Sequence, residues 1–177
     1  MLLLKNGNVM TMAGPAFVGD VAIENGKIVA VGQSLSYSDA EVRDVTGMTV
    51  MPGIVDPHCH IGMWEDAMGF EGADGNECTN PITPELRAID AINPYDRCLE
   101  EAAAGGVTTC VTGPGSANVI GGQFVAIKTY GDSVEDMVLR FPVAVKAAFG
   151  ENPKRVYNGK NQTPSTRMAT AALMRKA

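Results

Sequence analysis

Short apolar runs broken by turn residues fill the first fifty positions of the chain. Apolar residues at 2–4 and 9–12 flank Asn6-Gly7, those at 21–23 and 28–31 flank Asn25-Gly26, and residues 41–45 and 48–51 flank Thr46-Gly47. Asn-Gly between apolar runs signals a hairpin, because a type I′ turn needs two residues that tolerate positive φ. The pattern predicts three successive hairpins over 1–51, a small β-sandwich layer. Such a sheet needs a further element to bury its second face.

From Pro52 onward the pattern changes. A run over 52–60 has the length and composition of a strand, and a long loop, 63–92, follows it. Asn93-Pro94-Tyr95-Asp96 then predicts a helix, with Asn93 as N-cap, Pro94 in the first position and an acid in the first turn. Its apolar face is Tyr95, Cys98, Leu99 and Ala102, and Gly105-Gly106 end it. Residues 107–112 read as a strand apolar on both faces, as buried parallel strands are. A second helix is predicted from Asp132, where Asp132 and Glu135 resemble a capping box and Val134, Met137, Val138 and Phe141 recur at helical spacing. A third strand follows at 143–149, and Thr163-Pro164 opens a last helix through Leu173. Alternation of this kind predicts an α/β region over 52–177, built of parallel βα units with right-handed crossovers.

Composition narrows the function. The 177 residues are 45% hydrophobic, with mean hydropathy +0.02, as in globular proteins. A net charge of −6 and a pI near 4.9 speak against nucleic acid, whose binding draws on clustered Lys and Arg. No stretch approaches the roughly 18 apolar residues of a membrane span, and Lys5-Asn6-Gly7 interrupts the apolar start, so the expected location is the cytoplasm. The four cysteines are scattered without a Cys-x-x-Cys pair, which indicates neither a zinc ribbon nor a disulfide framework.

The chain's only two histidines, His58 and His60, close the run Pro52-Gly53-Ile54-Val55-Asp56-Pro57-His58-Cys59-His60. Side chains alternate along a strand, so both imidazoles face one way and Cys59 the other. A lone histidine in an apolar strand is usually a packing residue, but two on one face after Pro-Gly and an acid form half of a divalent metal site.

This motif, preceded by a small β layer and followed by Ala-Gly-Gly-Val-Thr-Thr at 104–109, resembles the metal-dependent amidohydrolase superfamily in its imidazolonepropionase-like and cyclic-amidohydrolase branches. The resemblance implies a small β domain followed by the first three to four βα units of a TIM (β/α)8 barrel. A full barrel takes about 250 residues, so residues 52–177 go about halfway around. It also implies one or two divalent metals, zinc foremost, which activate water to hydrolyse a non-peptide C–N bond of a small molecule such as a cyclic amide or imide. His58 and His60 match the first two ligands. The histidines of the fifth and sixth strands and the aspartate of the eighth match nothing here. For the bridging ligand two residues compete: Lys146, once carboxylated, and Glu151, slightly favoured because it needs no modification. Asp56 is expected to orient an imidazole, as metal-bound histidines require; the alternative is an aspartate capping nearby amides.

Two loops carry further expectations. The acidic 63–92 loop suits a substrate lid, a subunit contact or a solvated surface. Gly113-Pro114-Gly115, with Gly121-Gly122, matches no phosphate-loop spacing, and suits a turn or a pocket wall with Asn118 as a polar contact. Open sheet edges favour pairing, so the expected partner is a second copy or a complementing C-terminal half. The alternative function is a non-catalytic half-barrel that works only in such an association.

Overall fold

Asn25 and Gly26 both take positive φ, 50° and 71°, and turn β2 (Phe17–Glu24) back onto β3 (Lys27–Gly32), as the Asn-Gly rule expects. The computed structural model describes residues 1–177 and separates into two units, Met1–Pro52 and Gly53–Ala177.

The other two expected hairpins do not form. Asn6 takes positive φ without reversing the chain; β1 runs straight from Leu2 to Val9, and its register against β2 slips between Leu4 and Gly7. This is a bulge, and Asp20 stabilises it by accepting the Asn6 and Leu35 amides at 2.9 Å each. Nor do β4 (Glu41–Asp44) and β5 (Thr49–Val50) pair with each other. Both lie parallel to β1, on either side of the bulge, because a kinked edge is satisfied by two short strands and not by one long one.

In the second unit β6 (Ile54–Cys59), β7 (Val107–Thr112), β8 (Ile120–Lys128) and β9 (Val138–Ala147) form one sheet in that order. Only β6 and β7 are parallel neighbours, joined through α1 (Arg97–Ala104); β8 is antiparallel to both β7 and β9. Repeated parallel βα units are therefore not what the chain builds. Linker length explains the difference, since a parallel crossover takes a dozen or more residues. Residues 60–106 separate β6 from β7, whereas only 113–119 separate β7 from β8 and 129–137 separate β8 from β9. The helix expected from Asp132 is a single turn, α2 (Val134–Met137), capped by Ser133. β8 and the helix α3 (Glu151–Asn158) have no counterpart in the sequence-based expectation, and the last helix, α4, spans Arg167–Lys176 behind a Thr166 cap.

Met63, Ala88 and Ile92 from the long loop are buried with Leu99, Cys110, Val125, Ile127 and Met137 in the core. The loop thus contributes to the core at these three positions, while its acids Glu71, Asp74, Glu77, Glu85 and Asp90 are exposed. Where β7 ends, the loop takes over its hydrogen bonds to β8: the Thr83 amide donates to the Ile120 carbonyl at 2.9 Å and Gln123 to Leu86 at 2.8 Å. Helix α1 starts later than expected, with the Asp96 carboxylate accepting the Cys98 amide as N-cap, and Tyr95 is exposed ahead of it.

Burial pushes the Tyr157 phenol from its ordinary value of 10.0 up to about 12. Burial, with the neighbouring Cys59 thiol, pushes Cys110 from 9.0 up to about 12. Both groups ionise earlier in the unfolded chain, so their stabilisation is complete below about pH 9 and is lost as pH rises toward 12. Thermal midpoints should therefore fall between about pH 9 and 11. Tyr157→Phe should show a shallower decline above about pH 10; a curve parallel to the parent's would rule the phenol out.

Candidate metal centre

Because β8 runs against both its neighbours, β9 runs in the same direction as β6 and β7. The carboxyl ends of these three strands gather at one end of the sheet, together with the start of β8. His58 and His60 come from the end of β6, Gly113 lies just beyond β7, and Lys146 is the penultimate residue of β9.

Pro57 removes a ladder donor, and the β6–β7 register slips between Asp56 and Cys59. Despite this bulge the alternation expected from sequence holds. The two imidazoles lie side by side, 5.4 Å between centroids, in an edge-to-face arrangement with 87° between planes. Cys59 turns the other way, its thiol toward the Val111 carbonyl at 3.7 Å.

His60 Nδ1 lies 2.7 Å from the Gly113 carbonyl oxygen. A carbonyl only accepts, so Nδ1 carries a proton; in the neutral ring this leaves the lone pair on Nε2, the tautomer that a metal ligand needs. His58 is exposed, with Nε2 3.3 Å from Lys146 Nζ. Strands β6 and β9 are three positions apart in the sheet, about 14 Å at the usual spacing, so these two side chains lean toward each other across β7 and β8. Phe124 of β8 forms the floor beneath them. Its ring centroid lies 5.3 Å from His58, 6.3 Å from His60 and 6.0 Å from the Lys146 ammonium. Desolvation in this setting holds the Lys146 amine below its ordinary value.

A second aromatic ring, Trp64, also packs on His60, 5.7 Å between centroids. Both rings rest on glycines. A Cβ on Gly113 would lie 2.3 Å from Phe124 ring atoms, and one on Gly75 would lie within 1.8 Å of Trp64. Nothing in the sequence analysis identified Phe124, Trp64 or the role of Gly113, although the β-branched and aromatic run at 124–127 carries a strand signal.

Other expected site residues sit differently. Asp56 accepts the backbone amide of His58 at 3.1 Å and reaches no imidazole, so its contact is that of an amide cap. Glu151 opens α3, exposed and paired with Lys154 at 3.4 Å, and makes no hydrogen bond to either histidine. Asn118 is fully buried, donating to the Asn80 carbonyl at 2.7 Å and the Thr83 hydroxyl at 3.2 Å, which makes it a structural brace and not a pocket contact.

Two imidazoles and an amine suit a divalent ion but fall short of the four donors of a closed zinc site. No cluster of three or more His, Cys, Asp or Glu side chains with metal-holding geometry occurs in the chain.

No protein-family model matches the chain. A crystal structure of an amidohydrolase from Thermotoga maritima superposes with a TM-score of 0.95 at 47% identity, over 99% of this chain and 46% of that one. Amidohydrolase tasK from Hapsidospora irregularis is 36% identical over 91% of this chain and 18% of its own length. D-hydantoinase from Geobacillus stearothermophilus is 46% identical over 61 residues, 34% of this chain and 13% of its own. The chain therefore spans less than half the length of each of these relatives. Its homologues are amidohydrolases of the metal-dependent amidohydrolase superfamily, and it corresponds to the N-terminal part of them.

Proposed function

We propose that the chain supplies the first half of the metal centre of a hydrolase acting on a non-peptide C–N bond, with a cyclic amide as the substrate class. The observation that carries this reading is the set of contacts His60–Gly113 and His58–Lys146, which aims two imidazoles and a partly desolvated amine at one space. The likeness to a D-hydantoinase supports the cyclic-amide class.

When bound, a zinc ion in such a centre lowers the pKa of a water and polarises a carbonyl. The chain's own residues do the positioning. His58 and His60 present lone pairs, the Gly113 carbonyl fixes one tautomer, and Phe124 and Trp64 keep water from the flank of His60. Lys146 is the bridging residue in this reading: as the neutral amine it adds carbon dioxide at Nζ and releases a proton, leaving a carbamate beside His58. Glu151, engaged with Lys154, has no part in it. The remaining coordination positions are filled from outside residues 1–177, by a complementing segment or partner chain.

Metal content per chain tests the proposal. The parent protein should carry zinc after equilibration with it. Joint His58→Ala and His60→Ala replacement should abolish this, Lys146→Met should lower it by about tenfold or more in affinity, and Glu151→Gln should leave it unchanged. Equal zinc in the parent and the double variant would remove the hydrolase reading and leave the non-catalytic half-barrel.

A further inference from the structure

Asn76, Ser116, Asn152 and Arg155 line an open cleft of about 300 Å³ between the turn after β7, the long loop and α3, with Asn152 and Arg155 exposed. Their polar groups have few partners within the chain. The Asn76 side-chain oxygen accepts the Ala117 amide at 3.2 Å, which fixes the side chain and leaves its NH₂ group free to donate. The Ser116 hydroxyl, the Asn152 amide and the Arg155 guanidinium make no hydrogen bond within the chain. Arg155 also has no carboxylate partner, although acidic residues outnumber basic ones 20 to 14. Two acids adjoin cleft residues in sequence and point to other partners: Glu77 accepts the Thr79 amide at 2.8 Å, and Glu151 pairs with Lys154 at 3.4 Å. A second cation, Lys160, donates to the carbonyl of Cys78, another residue of the cleft wall, at 2.8 Å.

We propose that this cleft is a binding site for a small organic carboxylate, held by the Arg155 fork with Asn76, Ser116 and Asn152 as neutral donors. A planar guanidinium matches a carboxylate in bidentate geometry. One such fork among amide and hydroxyl donors suits a single negative charge better than a phosphate, which carries nearly two. The cleft is large enough for a small ligand. The site shares the turn of Gly113, which holds His60, but does not rest on the metal reading.

Amide NMR of the full chain titrated with propionate, propionamide and inorganic phosphate at constant ionic strength tests it. Propionate should give saturable shifts at Ser116, Ala117 and Asn152, and propionamide none. Arg155→Gln should weaken binding by about tenfold or more and Asn152→Ala by less, both with the remaining spectrum intact. The His58→Ala and His60→Ala pair should bind as the parent does. Equal response to propionamide, tighter binding of phosphate, indifference to Arg155→Gln, or loss in the double histidine variant would each overturn the proposal.

Discussion

Phe124→Ala is expected to cost about 3–5 kcal/mol of folding stability and to weaken zinc binding at the same time. The ring is 4% exposed, and it stands at the centre of the three side chains proposed to face the metal. Removing it opens a cavity in the sheet and also frees His58, His60 and Lys146 to leave the common space. Stability and affinity should separate in Phe124→Leu, which refills most of the volume and is expected to recover stability to within about 1.5 kcal/mol while lacking the flat floor. Denaturant unfolding and zinc titration of the two variants make the comparison. If Phe124→Leu binds zinc as the parent does, volume alone matters and the ring has no positioning role.

That floor shows where sequence reasoning stops. His58 and His60 were legible because their spacing is local: two residues apart on a strand fixes a common face whatever the rest of the chain does. Asn25-Gly26 was legible for the same reason, since its two positive φ values are a property of those residues. Asn6-Gly7 carries the same dipeptide and becomes a bulge, because β2 pairs with β1 on both sides of it, β4 and β5 pair with β1 before and after it, and the tertiary pairing overrides the turn. Strand direction was misread because helical spacing at 134–141 suggested a crossover, whereas the linker was long enough for one turn only. The contact between Lys146 and His58, 88 residues apart, follows from that direction: two antiparallel steps return β9 to the orientation of β6 and bring its carboxyl end to the histidines. No local signal separates the surroundings of Lys146 and Glu151, two plausible donors five residues apart. Where β9 ends and α3 begins puts Lys146 beside His58 and Glu151 beside Lys154.

Gly113→Ala is expected to be about as damaging as a core deletion, at roughly 1–3 kcal/mol or more, although alanine adds one methyl group. Its Cβ would lie 2.3 Å from two Phe124 ring atoms and 2.6 Å from a third, and the same ring packs against His58 and His60. Something must shift, and two movements are open. If the ring moves, it pushes into the imidazoles. If the backbone moves, the Gly113 carbonyl leaves Nδ1 of His60 and that imidazole loses the bond that fixes its tautomer. Either way zinc affinity should fall by about 10–100-fold, the range for losing a partner that orients a ligand. Gly14→Ala, where an added Cβ meets nothing within 4 Å, is the matched control and should leave both quantities unchanged. The ring-nitrogen chemical shifts of His60 in Gly113→Ala separate the two movements: retention of the Nδ1-protonated form identifies the ring as what moved, and its loss identifies the carbonyl. Parent-like affinity in Gly113→Ala alone would show that His60 does not depend on this turn, and the candidate centre would lose the contact that defines its geometry.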